Sequence, residues 1–561
     1  MSPLLLSFVA ISLLFGTVVF AGPPPANSGI YGVWYQDAEL NDPDVTGGQV
    51  VLAWADIETS QGNYSWSNSS LTGFDNLLDQ ASGPVTIQVN GGDKPDYLFN
   101  KVPYTPDKLD STVHDSQGTL MYWHNHFSDN YVNFINAFGA HVQGLSSARK
   151  SKIIGVRLNF NAIGTEKLVP DPDFGPNHIN YQDNSNWTVP SGVTNGPDWT
   201  LTVQQNYQKK VLDAFISAFT GGTNPVMVFV RNNLDSSIVT QYDSYFQNGT
   251  LGWFDTSAEI EPRSGGFSKY DLFTQYTLPG KTVGYREPWA DAWGLHGTIV
   301  DSRWDTPPQW NYWRLLSDLS LGISYVAVYG NDLDVMENNH RKDENGNSIN
   351  LPATIPGTTT DNYQDEFRDA IHFAAKYAGY HNSPGSAPGG WVAFRVSKSD
   401  PNYTDYTFLM SLLNPSVTTG MDARDDGTAV PTGSGYTHLT IPGQYSIGPY
   451  YQRYGSWARK LLGGKTMQLQ MRDSLVDTIN RSSTKKINVT YYDQDNSGTI
   501  TLQVNYGGTK SFTIDVKDTK KWITKTIDAS NATFVDDADG ANVTLKSIGG
   551  PTILHMVEVT K

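Results

Sequence analysis

Along residues 28–383, short runs of Val, Ile, Tyr and Trp alternate with longer stretches whose apolar positions recur every three or four residues. The short runs predict strands at 30–35, 50–56, 85–90, 153–160, 225–231, 252–255, 282–286 and 323–329. The longer stretches predict helices at 130–142 and 201–219, at 310–321 behind the helix-start signal Pro307-Pro308, and at 361–377. Eight strands alternating with helices over roughly 350 residues predict a (β/α)8 barrel. One spacing is awkward. About 13 residues separate the first two runs, short for a crossover helix between parallel strands, which puts the first strand in question.

The pattern changes after the Gly/Pro/Ser-rich stretch 381–390. From there to Lys561 short runs alternate polar and apolar residues, among them GGWVAFRV, YTFLMSLL, KTMQLQM, KINVTYY, TITLQV and ILHMVEVT. No helix is expected, so the second module is all-β, a sandwich or jelly roll. Segment 493–500 (DQDNSGTI) resembles the first eight positions of a helix–loop–helix calcium site, but position twelve is Val504 and the flanks alternate like strands. It reads as a β-hairpin turn.

Residues 1–20 are apolar and uncharged, and Val19 and Ala21 occupy the small-residue positions of a cleavage site. The chain therefore divides into a signal peptide (1–21), a barrel (22–383) and a β-sandwich (384–561), with the mature protein secreted, extracellular and free of the membrane. Nine Asn-x-Ser/Thr sequons fit an exported glycoprotein. Composition then narrows the chemistry. The 561 residues contain no Cys, which excludes disulfides, thiolate nucleophiles and iron–sulfur clusters. A net charge of −17 argues against a nucleic-acid partner. What remains is carboxylates, His, hydroxyls and the faces of 15 Trp and 30 Tyr.

Active sites of such barrels lie where the strands end at their C-terminal edge. Glu166 follows the fourth run (IIGVRLNFNAIGTEK) and Glu287 directly follows the seventh (TVGYREPW). Two carboxylic acids at such positions suit glycoside hydrolysis, where one protonates the leaving oxygen and the other attacks the anomeric carbon or activates water. Each Glu alone reads more readily as a salt-bridge or capping residue; it is the pair at these two strand ends that shifts the balance. The pair resembles the arrangement in clan A, the (β/α)8 superfamily of retaining glycoside hydrolases. VVLAWADIETSQGNYSWSNSSLTGFDNLLDQA, with Trp54, Glu58, Gly62, Tyr64, Trp66, Asp75 and Leu78, is similar to a segment of its β-galactosidase-like members. KPDYLFNKVP followed by MYWHNHFSDNYVNFINAF adds a second likeness, with Tyr97 where Trp is usual.

The resemblance implies Glu166 as general acid/base and Glu287 as nucleophile, with no cofactor or metal. It departs at Thr165, where most members carry an Asn for the sugar 2-hydroxyl; Asn159 or Asn161 is the substitute contact. Trp54, His124, Trp253, Trp289 and Tyr329 complete the expected carbohydrate-binding set, since aromatic faces stack on sugar rings. Asp56, Glu58, Asp255, Glu259 and Glu261 also follow strands, but read more readily as loop charges. His124 and His126 would need a third ligand to hold a metal, and none is evident. The expectation is a secreted retaining glycosidase acting on a β-linked poly- or oligosaccharide. A carbohydrate-binding or matrix protein on a degenerate barrel is the alternative, and a lyase using His124 or His126 is a weaker third. Oligomeric state is not legible.

Overall fold

The computed structural model describes residues 24–33, 42–170, 179–221, 225–231, 234, 236–255, 284–286, 288, 291–293, 307–343, 346–355, 360–395, 405–422, 430–431, 437–438, 452–454, 457–495 and 497–561. The expected signal peptide lies outside them, as do Glu287, Trp289, Glu259 and Glu261. Among the described residues no helix is long and apolar enough to cross a membrane.

Eight parallel strands close into a barrel: β1 (Gly29–Val33), β2 (Val45–Ala53), β3 (Val85–Asn90), β4 (Ile153–Leu158), β5 (Val228–Arg231), β6 (Leu251–Asp255), β7 (Gly284–Arg286) and β8 (Tyr325–Tyr329). Every predicted run overlaps one of them, although β2 begins at Val45, five residues before its run. The doubtful first run is a true staple of the ring, since β1 pairs with β8 on one side and β2 on the other. The link between β1 and β2 makes this crossover in the 11 residues 34–44.

Outward-facing Val and Ile of the strands pack under a ring of helices: α1 (Phe74–Gln80), α2 (Asn125–Gly144), α3 (Leu201–Phe219), α4 (Pro307–Leu321), α5 (Gly330–Asn338) and α6 (Tyr363–Tyr377). Thr200 caps α3 by accepting from the Val203 amide, and Asn362 caps α6 from the Asp365 amide. Inward-facing residues build a separate aromatic plug of Tyr31, Phe229, Phe254, Tyr285 and Tyr325, all buried. Phe229 fits because its neighbours on β4 and β6 are Gly155 and Gly252. A Cβ at Gly155 would lie 2.3 Å from the Phe229 ring.

The C-terminal module is a two-sheet sandwich with strands β9 (Gly389–Ala393), β10 (Tyr406–Phe408), β11 (Met410–Leu412), β12 (Thr418–Asp422), β13 (Trp457–Leu461), β14 (Thr466–Met471), β15 (Lys486–Tyr492), β16 (Thr501–Tyr506), β17 (Lys510–Asp515), β18 (Trp522–Asp528), β19 (Val543–Ile548) and β20 (Thr552–Thr560). One sheet runs β10-β9-β20-β13-β12, with β15 and β18 joined through β20, and the other runs β11-β14-β19-β16-β17. The run YTFLMSLL supplies a strand to each, turning between them at Leu409, whose φ is +55°.

Two expectations are corrected here. A helix, α7 (Asp473–Arg481), does occur in this module, burying Leu475 and Ile479 one turn apart. Segment 493–500 is not a hairpin turn, because β15 and β16 belong to different sheets. Nor is it arranged as a calcium loop. Asp493 and Asp495 accept hydrogen bonds from the amides of Lys517, Ser497 and Ile500, so their carboxylates brace the crossing between sheets.

Sandwich and barrel share one continuous hydrophobic core. Helix α4 is buried along its whole length because both modules cover it. Tyr312 bonds His555 at 2.9 Å across the seam, and Lys376 and Tyr377 of α6 donate to Glu558 of β20 at 2.8 and 2.6 Å. Arg453 pairs with Glu366 and Asp369, each at 2.9 Å.

Candidate active site at the barrel mouth

Above the aromatic plug the lumen turns polar, and the change follows from strand alternation. Gln49, Gln88 and Arg157 occupy inward positions of β2, β3 and β4, and all three are buried. Gln49 bridges from the Tyr285 hydroxyl (3.4 Å) to Gln88 (3.2 Å), whose amide oxygen also accepts from Arg157. The Arg157 guanidinium lies over the Phe254 ring, 3.9 Å from its centroid. From that platform it reaches Glu166, which also pairs with Arg231 at the end of β5. The result is a hydrogen-bonded chain from β7 across the lumen to the carboxylate beyond β4. Glu166 itself is 21% exposed and Arg231 23%. The carboxylate is therefore partly exposed at the C-terminal end of the barrel, paired with two cations.

The segment carrying Glu166 is tightly built. The Asn161 amide donates to Thr165 and the Ile163 amide to Lys167. Tyr131 of α2 donates to the Asn159 carbonyl and Tyr207 of α3 to that of Phe160, both at 2.6 Å. Both tyrosines are held protonated far above the usual phenol range by burial. Asn161 adopts a φ of +47° and is fully buried. Its amide nitrogen meets the Tyr131 hydroxyl at 3.1 Å, and its amide oxygen has no hydrogen-bond partner among the described residues. Asn159 is likewise buried and bonded to the Val89 carbonyl, so both substitutes for the missing Asn sit beneath the loop surface.

Several expected sugar contacts are corrected. Trp54 is fully buried among Phe127, Tyr131 and Phe134, and donates to Glu58 at 2.9 Å. Glu58 accepts further bonds from the Gly62 amide and the Tyr97 hydroxyl, so this Trp–Glu–Tyr set orients a loop and offers no face to a ligand. Trp253 is fully buried and stacks on Phe246 with centroids 4.1 Å apart. It points out of the barrel because its neighbour Phe254 points in. His124 is the N-cap of α2 and bonds the Thr194 carbonyl at 3.0 Å, with burial lowering its pKa. No three His, Asp or Glu among the described residues are placed to hold a metal. Tyr329 ends β8 against the lumen cluster and stands at the N-terminus of α5. Of the expected set, Glu166, Asn161 and Tyr329 therefore lie around the mouth, while Glu287 and Trp289 lie outside the described residues.

Sequence reading missed Arg157 and Arg231. Arg157 carried a signal, being a lone cation inside the apolar run IIGVRL.

These features define a (β/α)8-barrel protein with a carboxylate held between two guanidiniums at its C-terminal mouth. No family model and no curated protein matches the chain. Among solved structures it is similar to a family 5 xyloglucanase from Paenibacillus pabuli, at 12% identity over 62% of this chain and 99% of that one (TM-score 0.33). It is also similar to a tri-modular GH5 subfamily 4 endo-β-1,4-glucanase from Bacillus licheniformis, at 8% identity over 95% and 78% (TM-score 0.29). The C-terminal CBM6 of the marine laminarinase LamC from Zobellia galactanivorans matches at 15% identity over 26% of this chain and 99% of that one (TM-score 0.13). At such scores the strand pairing of the barrel itself, and not these likenesses, defines the fold.

Proposed function

We propose that the protein is a secreted glycoside hydrolase that cleaves β-linked glycans at the barrel mouth. The observation that carries this reading is the placement of Glu166: a partly exposed carboxylate beyond β4, aimed over the lumen by Arg157 and Arg231. Glu287, directly after β7 in sequence, is the proposed second carboxylate. In a double displacement Glu287 attacks the anomeric carbon while Glu166 protonates the departing oxygen. Glu166 then takes a proton from water as that water releases the glycosyl-enzyme. The two guanidiniums favour the ionised form of Glu166, which suits the second half-reaction. For the first half-reaction Glu166 must already hold a proton, against the pull of the two guanidiniums. A bound sugar that draws Arg231 away, the more exposed of the two cations, lowers that cost.

The same double pairing favours a second reading, in which the mouth binds glycan without cleaving it and Glu166 is only an anchor for the arginines. Incubating residues 22–561 with β-linked polysaccharides and aryl β-glycosides separates the two. Release of reducing ends or chromophore, abolished by Glu287→Gln and by Glu166→Gln, supports hydrolysis. Retardation in glycan-containing gels with no release across the panel moves the assignment to binding.

A further inference from the structure

One buried cation near the mouth has no part in the chemistry above. Lys94 follows β3 and is 3% exposed. Its ammonium donates to two backbone carbonyls, Gly91 at 2.5 Å and Gly164 at 3.2 Å. Gly91 belongs to the segment after β3, and Gly164 lies two residues before Glu166. The Lys94 amide is held in turn by both oxygens of Asp115, at 3.0 and 3.2 Å. From the same 110–115 stretch, Thr112 accepts from the Thr165 amide at 3.4 Å and is itself fixed to Asp110 at 2.5 Å. Only glycine fits at 164: φ is +59°, and a Cβ would fall 1.9 Å from the Thr112 hydroxyl oxygen. The peptide between Gly164 and Thr165, just before Glu166, is therefore gripped by an ammonium and a hydroxyl from the connection between β3 and α2.

We propose that Lys94 is a positioning residue that holds the Glu166 segment in register over the barrel mouth. The inference rests on Glu166 being the working carboxylate. A buried ammonium is an expensive way to fill a core, and Met of similar length would cost less desolvation. Burial accordingly pushes Lys94 down to about 8, even with the carboxylates of Asp115, Asp93 and Asp110 facing it and working the other way. His114, beside Asp93 and over Gly92, is the remaining titratable neighbour. What Met cannot supply is a donor able to reach two carbonyls on separate loops. Because chemical steps depend steeply on placement, a segment released by even about 1 Å should turn over about a hundredfold more slowly while binding substrate nearly as before.

The test is hydrogen exchange by mass spectrometry on the full chain, wild type against Lys94→Met, with α6 and the sandwich strands as internal controls. We expect exchange across 159–167 to quicken about tenfold or more with the controls unchanged. On a cleaved glycoside, kcat should fall about a hundredfold with KM within about twofold. Lys94→Gln keeps one shorter donor and should fall between wild type and Met in both readouts, and it serves alone if Lys94→Met does not fold. Unchanged exchange at 159–167, or quickening shared equally by the controls, overturns the proposal. The two readings fail separately. Faster exchange at 159–167 in a protein that cleaves nothing upholds the clamp and removes the role of Glu166. Full turnover with unchanged exchange in the variants removes the clamp and leaves Glu166 standing.

Discussion

The barrel mouth and the barrel–sandwich seam both hold charged side chains away from bulk water, but they do it differently. At the seam the two central charges are heavily partnered: Glu558, 8% exposed, takes Lys376, Tyr377 and Asn488, and Arg453, 12% exposed, takes Glu366, Asp369 and the Tyr454 hydroxyl, while Lys376 and Asp369 at the rim stay partly exposed. At the mouth the Glu166 carboxylate has two cations and still meets solvent. A closed set contributes rigidity and has nothing left to offer. An open one can trade a partner for a ligand. On the proposed function, the difference sets stability at the seam against chemistry at the mouth, though both are built from the same residue types.

The sharpest way to break this comparison is at the mouth. Replacing Glu166 by Gln should lower turnover by about 10³-fold, within the range expected for a lost acid/base. Because it also leaves the buried Arg157 guanidinium without its carboxylate, some stability should go with it. Steady-state kinetics beside a denaturant titration would read both, and full turnover in the variant would remove the catalytic role of Glu166. The converse substitution, Glu558→Ala, strands Lys376, Tyr377 and Asn488 and should cost about 3 kcal/mol of stability, with exchange at 159–167 unaltered. Denaturant unfolding and hydrogen exchange on the same variant would test both halves.

A gentler probe uses His381, which lies between α6 and β9. It is buried, neither ring nitrogen has a hydrogen-bond partner among the described residues, and burial with help from Arg472 pushes it down to about 4. The unfolded chain binds a proton there near pH 6.5 and the folded one does not. Stability is therefore complete above about pH 6.5 and falls as the pH drops toward 4, by about 3 kcal/mol in all. Urea midpoints across that window should lose this slope in His381→Gln.

The smallest effect concerns glycans. Asn63, Asn68, Asn186 and Asn531 are exposed and should carry them after expression in a secretory host. Asn542 should stay bare when folded, because its amide donates to Asp536 and accepts from the Met471 amide. Peptide mass spectrometry reads this directly. Occupancy at Asn542 would mean modification before folding.

How much of this was legible in the sequence differs by level. The strands were readable because a parallel strand buried on both faces must be a short apolar run, and eight such runs stand out. Helix α7 was not, since nine residues offer only Leu475 and Ile479 as a period between two strongly alternating strands. The sequence placed Glu166 beyond the fourth strand, and the structure puts it there, between Arg157 and Arg231. Trp54 and Trp253 were drawn into the site by the same logic and do not belong there. Proximity to a strand end says nothing of direction, whereas parity does: Trp253 alternates with Phe254, and one of them has to face outward. Lys94 left no trace in the sequence. Its role depends on two carbonyls from separate loops, which only the folded chain brings together.

The aromatic plug has a last consequence, for traffic. With Tyr31, Phe229, Phe254, Tyr285 and Tyr325 filling the lumen, the barrel is a vessel with a single door. If a glycan is cleaved at Glu166, substrate and both products must all approach and leave on that C-terminal face, since no route runs through the lumen.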